Sequence, residues 1–314
     1  MADYNANNRT TAMNGDIRES IDVIDSPTMG VFKSEYAEKG RPVLIMGLTR
    51  DWPAHATWNP EYLREKIGNR RVPIKTYSSA EGRYGFPTFR FTTFGDYLDL
   101  QEDPHQRRLC RLGDVNIEPF LSELSPDIRR PALVESSTCR AALFTGVDTF
   151  CNAHYHTADE ALLTQVFGQK RILLFPPRYA QSLYPVPWYQ LANNWSSVNV
   201  EMPDLDRHPR FKEAQPIEVL VSPGQSLYIP VHWFHAVFGV GMTATVTWFW
   251  PSNVRRWQFP FPGYRAFVSP VRYARFILPI ARKTGQMDRL AALATRLSWQ
   301  NRQAKNHAES RKTT

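Results

Sequence analysis

Between Ala132 and Trp250 the chain breaks into short β-rich runs separated by turn residues: "AALFTG", "RILLFPP", "IEVLVSPGQSLYIP", "HAVFGV" and "TATVTWFW". A series of short strands with frequent turns closes into a sandwich or barrel and does not settle as a helical bundle. The 13% aromatic content and 24 prolines agree with a β-rich, turn-rich body. With 314 residues and 42% hydrophobic content, the chain is long enough for one large core with appendages.

The flanks differ from this block. Residues 1–25 are Asn-, Thr- and Ala-rich and read as a flexible tail. From 26 to 131 helices and strands mix in an α/β lead-in. "PVLIMG" is a buried strand ended by Gly47. "NPEYLREKIG" is a helix with Asn59 as N-cap, Pro60 at its first position and Gly68 as its stop, and "TTFGDYLDLQ" is another short helix. Residues 263–314 turn helical, with Met287, Leu290, Ala294 and Leu297 in an apolar stripe suited to pairing two chains as a homodimer. From Arg265 onward eleven Lys/Arg face two acids, a net +9. The overall +8 therefore belongs to this segment, and residues 26–262 form the near-neutral main domain. No nucleic-acid motif accompanies the charge, so no nucleic-acid partner is expected. Three cysteines without metal-like spacing, no membrane span and no apolar signal core point to a soluble, cytoplasmic protein.

His154 and His156 lie one residue apart ahead of an apolar run, so on a strand both imidazoles share a face. Glu160 follows four residues later. Far downstream, "PGQSLYIPVHWFH" sets a turn glycine, a strand, a proline bend and then His235. That order returns a third imidazole to the mouth of a small barrel. A single histidine would be an ordinary core or surface residue; three at these spacings can reach one ion.

H-x-H-x3-E followed by G-x5-P-x4-H is similar to the paired metal motifs of the cupin superfamily. "GQKRILLFPP", "LYP" and "PGQSLYIPVHWFHAV" resemble the JmjC/cupin-like branch of the Fe(II)/2-oxoglutarate oxygenases, the group containing the asparaginyl hydroxylases. "RPVLIMGLTRDWPA" and "TTFGDYLD" resemble that branch's lead-in, so the likeness spans roughly Val31 to Trp250.

The resemblance implies a mainly β fold, a double-stranded β-helix (cupin or jelly-roll barrel) with an α/β lead-in and C-terminal helices. It implies Fe(II) at the open end, 2-oxoglutarate as cosubstrate and O2 as oxidant. His154 and His235 match the branch's two histidine ligands. His156 stands where the branch has aspartate, giving a three-histidine site with Glu160 as a fourth candidate ligand. Lys170 falls where the branch pairs a lysine with the far carboxylate of 2-oxoglutarate; a strand-edge lysine facing solvent is the alternative. Cys151 stands where a hydroxyl residue is common and Thr247 where asparagine is, leaving Thr149 and Thr247 as candidate cosubstrate donors. Trp188 and Trp195, on a long insertion from Tyr184 to Pro216, are candidate contacts for a small-molecule or peptide substrate. Two other readings stand beside this one. One is a 2-oxoglutarate-independent three-histidine cupin dioxygenase or isomerase; the other is a non-catalytic metal-binding interaction module.

Overall fold

The computed structural model describes residues 20–78, 87–134, 138–187 and 194–253. The tail at 1–19, the C-terminal segment with its proposed dimer helices, and Trp188 lie outside them.

Among the described residues eleven strands run in chain order: β1 (Asp22–Asp25), β2 (Val43–Met46), β3 (Arg71–Thr76), β4 (Thr88–Thr93), β5 (Cys110–Asn116), β6 (Arg140–Val147), β7 (Phe150–His154), β8 (Asp159–Phe175), β9 (Ile217–Val221), β10 (Ser226–Ile229) and β11 (Phe234–Pro251). The two long strands organise the rest. The first half of β8 has β10 on one side and the second half of β11 on the other. Its second half has β9 on one side and the first half of β11 on the other. In turn β11 carries β7 along its first half and β6 along its second. Two sheets result, β9–β8–β11–β7 and β2–β10–β8–β11–β6–β5, sharing both long strands. This is the jelly-roll fold that the resemblance implied, within the sandwich-or-barrel class of the strand pattern.

The strands change sheets at a glycine hinge. Gly168 (φ +68°) and Gly241 (φ +64°) interrupt β8 and β11 where the pairing register shifts. A β-carbon on Gly168 would lie 2.2 Å from the Met242 carbonyl oxygen, so the close approach also demands glycine.

Strand alternation sorts the side chains. Ala142, Ala161, Leu163, Leu227 and Phe249 from one sheet meet Ile172, Leu174, Ile217, Val219 and Val221 from the other inside the barrel. On the outer face of the larger sheet, Leu143, Val166, Ala244 and Val246 pack under helices Pro60–Ile67 and Phe94–Glu102. The Asn59 side chain caps the first helix by accepting from the Tyr62 amide at 2.7 Å, and Thr93 caps the second through Asp96 at 3.1 Å. Trp58 and Tyr62 donate to one buried carboxylate, Asp127, at 2.9 and 2.8 Å, tying the helix to the segment before the barrel.

Two boundaries differ from the sequence reading. Asp22–Asp25 is not tail: it pairs in parallel with Val43–Met46. Four residues give little local signal, and the pairing depends on β2, which is itself held by β10. Nor does the lead-in stop at the barrel, since β5 joins β6 and continues its sheet.

Gly168→Ala is expected to destabilise the protein by at least about 2 kcal/mol, because the left-handed backbone and the Met242 carbonyl both oppose a methyl group. Chemical denaturation of the two proteins side by side measures it.

Candidate metal centre

His154 ends β7, His156 follows two residues later in the link to β8, and His235 opens β11. His154 and His235 are direct cross-strand partners. Ring centroids lie 4.3 Å apart for His154–His235, 4.7 Å for His156–His235 and 5.8 Å for His154–His156. One nitrogen from each of the three falls within 4.8 Å of the others, which suits a single ion.

Two of the rings have their tautomer set by backbone. His154 Nδ1 lies 2.9 Å from the Asn152 carbonyl and His235 Nδ1 lies 3.0 Å from the Trp233 carbonyl. A carbonyl can only accept, so each Nδ1 carries the proton and each Nε2 keeps its lone pair for a metal. Burial holds His235 well below its ordinary pKa, the His154 ring adding to it, so His235 is neutral and ligand-ready. The donor set therefore fits a divalent cation that accepts three nitrogens.

The strand β7 carries a bulge. Its pairing with β11 steps from His235–His154 to Val237–Cys151, three residues against two. The extra residue brings Cys151 and His154 to the same face. Cys151 Sγ lies 3.6 Å from His154 Nδ1. Burial alone would raise the Cys151 thiol, but Arg111 and then His154 outweigh it and hold it well below its usual range. His154 responds in the opposite sense: burial lowers it, yet the sulfur and the Asn152 carbonyl raise it overall.

Glu160 does not join the group. It is the outward neighbour of inward-facing Ala161, and its carboxylate accepts from the Tyr228 hydroxyl at 2.9 Å and the Ser252 hydroxyl at 3.1 Å. The x3 spacing from His156 is real, but strand alternation turns the carboxylate away from the ion site. Among the described residues only the three histidines converge.

The other expected residues lie along the barrel wall. Lys170 is 3% exposed and points inward from β8, across from Gly239. Its level is four residues along β11 from His235, about 13 Å of strand. The solvent-facing alternative is thereby excluded. Burial pushes Lys170 down to about 7, with Cys151 opposing and Arg111 reinforcing the shift. Thr149 sits in the β6–β7 turn at the Lys170 level: its carbonyl accepts from the Gly239 amide, and its Oγ1 lies 2.8 Å from where a Gly239 β-carbon would be. Thr247 faces inward one step below Phe249, whose ring lies 5.2 Å from His156. Trp195 is brought to the metal group directly. It forms an isolated bridge with His154, and the two rings are 5.7 Å apart. The 194–196 stretch is stitched along β7 through Tyr155, Asn194, Ala153 and Ser196, as a strap and not a free lid. Arg171 alternates outward, over the Phe238 ring and between Glu201 and Glu218.

Sequence reasoning missed Arg111. It enters the interior from β5, 6% exposed, with its Nε donating to the Tyr77 hydroxyl at 2.7 Å. The available signal was one charged residue inside the apolar run "LCRLG".

A model of the cupin-like domain family matches residues 29–256. The chain belongs to that family. It is 47% identical over 240 residues to human HSPB1-associated protein 1, covering 66% of this chain and 48% of that one. It is 28% identical over 244 residues to lysine-specific demethylase 8 of Xenopus tropicalis, covering 75% and 54%. It is 29% identical over 267 residues to tRNA wybutosine-synthesizing protein 5 of Danio rerio, covering 76% and 77%. Against the first two, the cupin-like chain spans about half the relative's length. These relatives agree with the JmjC/cupin branch read from the motifs. No helix among the described residues is long and apolar enough to cross a membrane.

Replacing His235 by alanine is expected to lower Fe(II) or Zn(II) affinity by at least about tenfold, with near-wild-type circular dichroism. Equilibrium dialysis with elemental analysis measures it; unchanged metal content would show that the imidazoles pack without ligating.

Proposed function

We propose that this cupin-like chain is a mononuclear non-haem Fe(II), 2-oxoglutarate-dependent oxygenase that oxidises a C–H bond of a small molecule or peptide side chain. The observation that carries the reading is the pairing of three convergent imidazoles with a buried, inward-facing lysine in one barrel interior. Bound iron would supply the O2 chemistry, with 2-oxoglutarate as the electron source.

The chain's own residues have separable tasks. His154, His156 and His235 hold the ion at the mouth. Lys170 pairs with the far carboxylate of the cosubstrate, an ion pair worth about 1.5–3 kcal/mol in a buried setting. Thr149 and Thr247 offer hydroxyls along the wall between. Trp195, packed on His154, gives a substrate an aromatic surface beside the metal, and the apolar interior excludes water. The relatives are named for lysine demethylation and for tRNA wybutosine synthesis, so the names alone do not choose a substrate.

A second reading is favoured by one observation. With His156 at the position the branch gives to aspartate and Glu160 turned outward, the ion would receive no carboxylate from these residues. Three neutral ligands leave the metal its full charge and favour a substrate that ligates it directly, without 2-oxoglutarate.

Anaerobic titration of the Fe(II) protein with 2-oxoglutarate separates the two. The first reading expects a visible charge-transfer band and, in Lys170→Ala, affinity weaker by about ten- to 100-fold. Iron bound with no band favours the second. The band should also depend on pH. Because the free protein's Lys170 loses its proton near 7 and the carboxylate binds the ammonium form, affinity should fall as pH rises from 7 to 9. Binding at alkaline pH should then take up a proton, read from the buffer dependence of the calorimetric enthalpy.

The His156→Asp variant tests the third histidine. A drifted 2-oxoglutarate site keeps or gains turnover of 2-oxoglutarate with the aspartate, whereas a chemically required imidazole loses it.

A further inference from the structure

Arg111 lies outside the metal group, yet it is among the most buried charges in the barrel. It is in register with Lys75 on the neighbouring strand β3. Tyr77 and the Cys151 sulfur hold its guanidinium, while its Nη2 is buried without a hydrogen-bond partner. Lys170 makes no ion pair with any described residue, and its Nζ lies 5.7 Å from the centroid of the Phe144 ring. Both cations have Cys151 as an electrostatic neighbour, and the Arg111 charge acts on Lys170. Asp114, on the same strand as Arg111, is engaged with Arg140 at 2.5 Å.

Cys151, held toward the thiolate, offsets part of this charge, but two buried cations facing one interior without a carboxylate remain costly. A guanidinium with an orphaned N–H beside an ammonium is, however, a ready receptor for a carboxylate, which can take one hydrogen bond from each. We infer that Arg111 and Lys170 form a two-cation seat for the far carboxylate of the 2-oxo acid, and that Arg111 makes the site select a dicarboxylate over a monocarboxylate. This rests on the 2-oxoglutarate reading above. It adds a specificity-determining residue on a different strand from the lysine, with Tyr77 and Cys151 as its braces.

The test compares two ligands that share the chelating keto-acid end, 2-oxoglutarate and 2-oxobutyrate, which lacks the far carboxylate. Calorimetry on the anaerobic Fe(II)- or Zn(II)-loaded full chain gives both affinities. The wild type should prefer 2-oxoglutarate by at least about tenfold. Arg111→Gln should lose at least about tenfold for 2-oxoglutarate while 2-oxobutyrate stays within about twofold, with metal stoichiometry unchanged. Arg111→Lys should keep part of the preference; if Arg111→Gln does not fold, the lysine variant is read instead, and an undiminished preference there overturns the inference. An Arg111→Gln protein that still prefers 2-oxoglutarate, or that weakens both ligands equally, also overturns it and leaves the guanidinium as a brace for Tyr77 and Cys151. The 2-oxoglutarate reading survives that outcome if Lys170→Ala loses the preference. A wild type that binds neither ligand removes both.

Discussion

The pairing of β8 with β11 is the constraint on which the site depends. It runs through both sheets, sets which residues face inward, and fixes the vertical order of everything that could touch a ligand. His235 stands at the level of Leu174, Val237 at that of Ile172, and Gly239 at that of Lys170. A slip of one residue would turn every one of these side chains to the opposite face. The glycine hinge at 168 and 241 is what lets two strands serve both walls. Metal group and buried lysine are thus two readings of a single hydrogen-bonded ladder.

Much of this was legible in the chain. Asn59, Pro60 and Gly68 announce their helix because capping is local chemistry. His154, His156 and His235 were legible because paired histidines and a returning proline-bend strand are unusual outside a metal site. Glu160 was misread because spacing alone does not say which face of β8 a residue occupies; its neighbour Ala161 takes the interior. Arg111 escaped because its meaning depends on Cys151 and Lys170, residues far along the chain that only the closed barrel brings near. The bulge in β7 is similarly invisible: one unpaired residue decides that Cys151 and His154 look the same way.

The interior is electrically unusual beside a candidate cation site. Its convergent side chains among the described residues are three imidazoles, while its deeper wall carries Arg111 and Lys170. The sulfur of Cys151 sits between the two regions, pulled toward the thiolate by the guanidinium. With an ion on the imidazoles, positive charge would stand at both ends of the cavity, with the sulfur between them. A ligand with negative charge at both ends matches that distribution better than one charged at a single end.

The carbonyls of Asn152 and Trp233 have a consequence for metal identity. By presetting two imidazoles they spare an incoming ion the work of organising its ligands, and they do so without regard to which ion arrives. A preorganised three-imidazole ligand set ranks divalent metals by their intrinsic appetite for imidazole, an order in which copper and zinc stand above ferrous iron. Occupancy by iron would then be a matter of supply and of the order of loading, and the metal found in a purified sample would report the medium in which the chain folded.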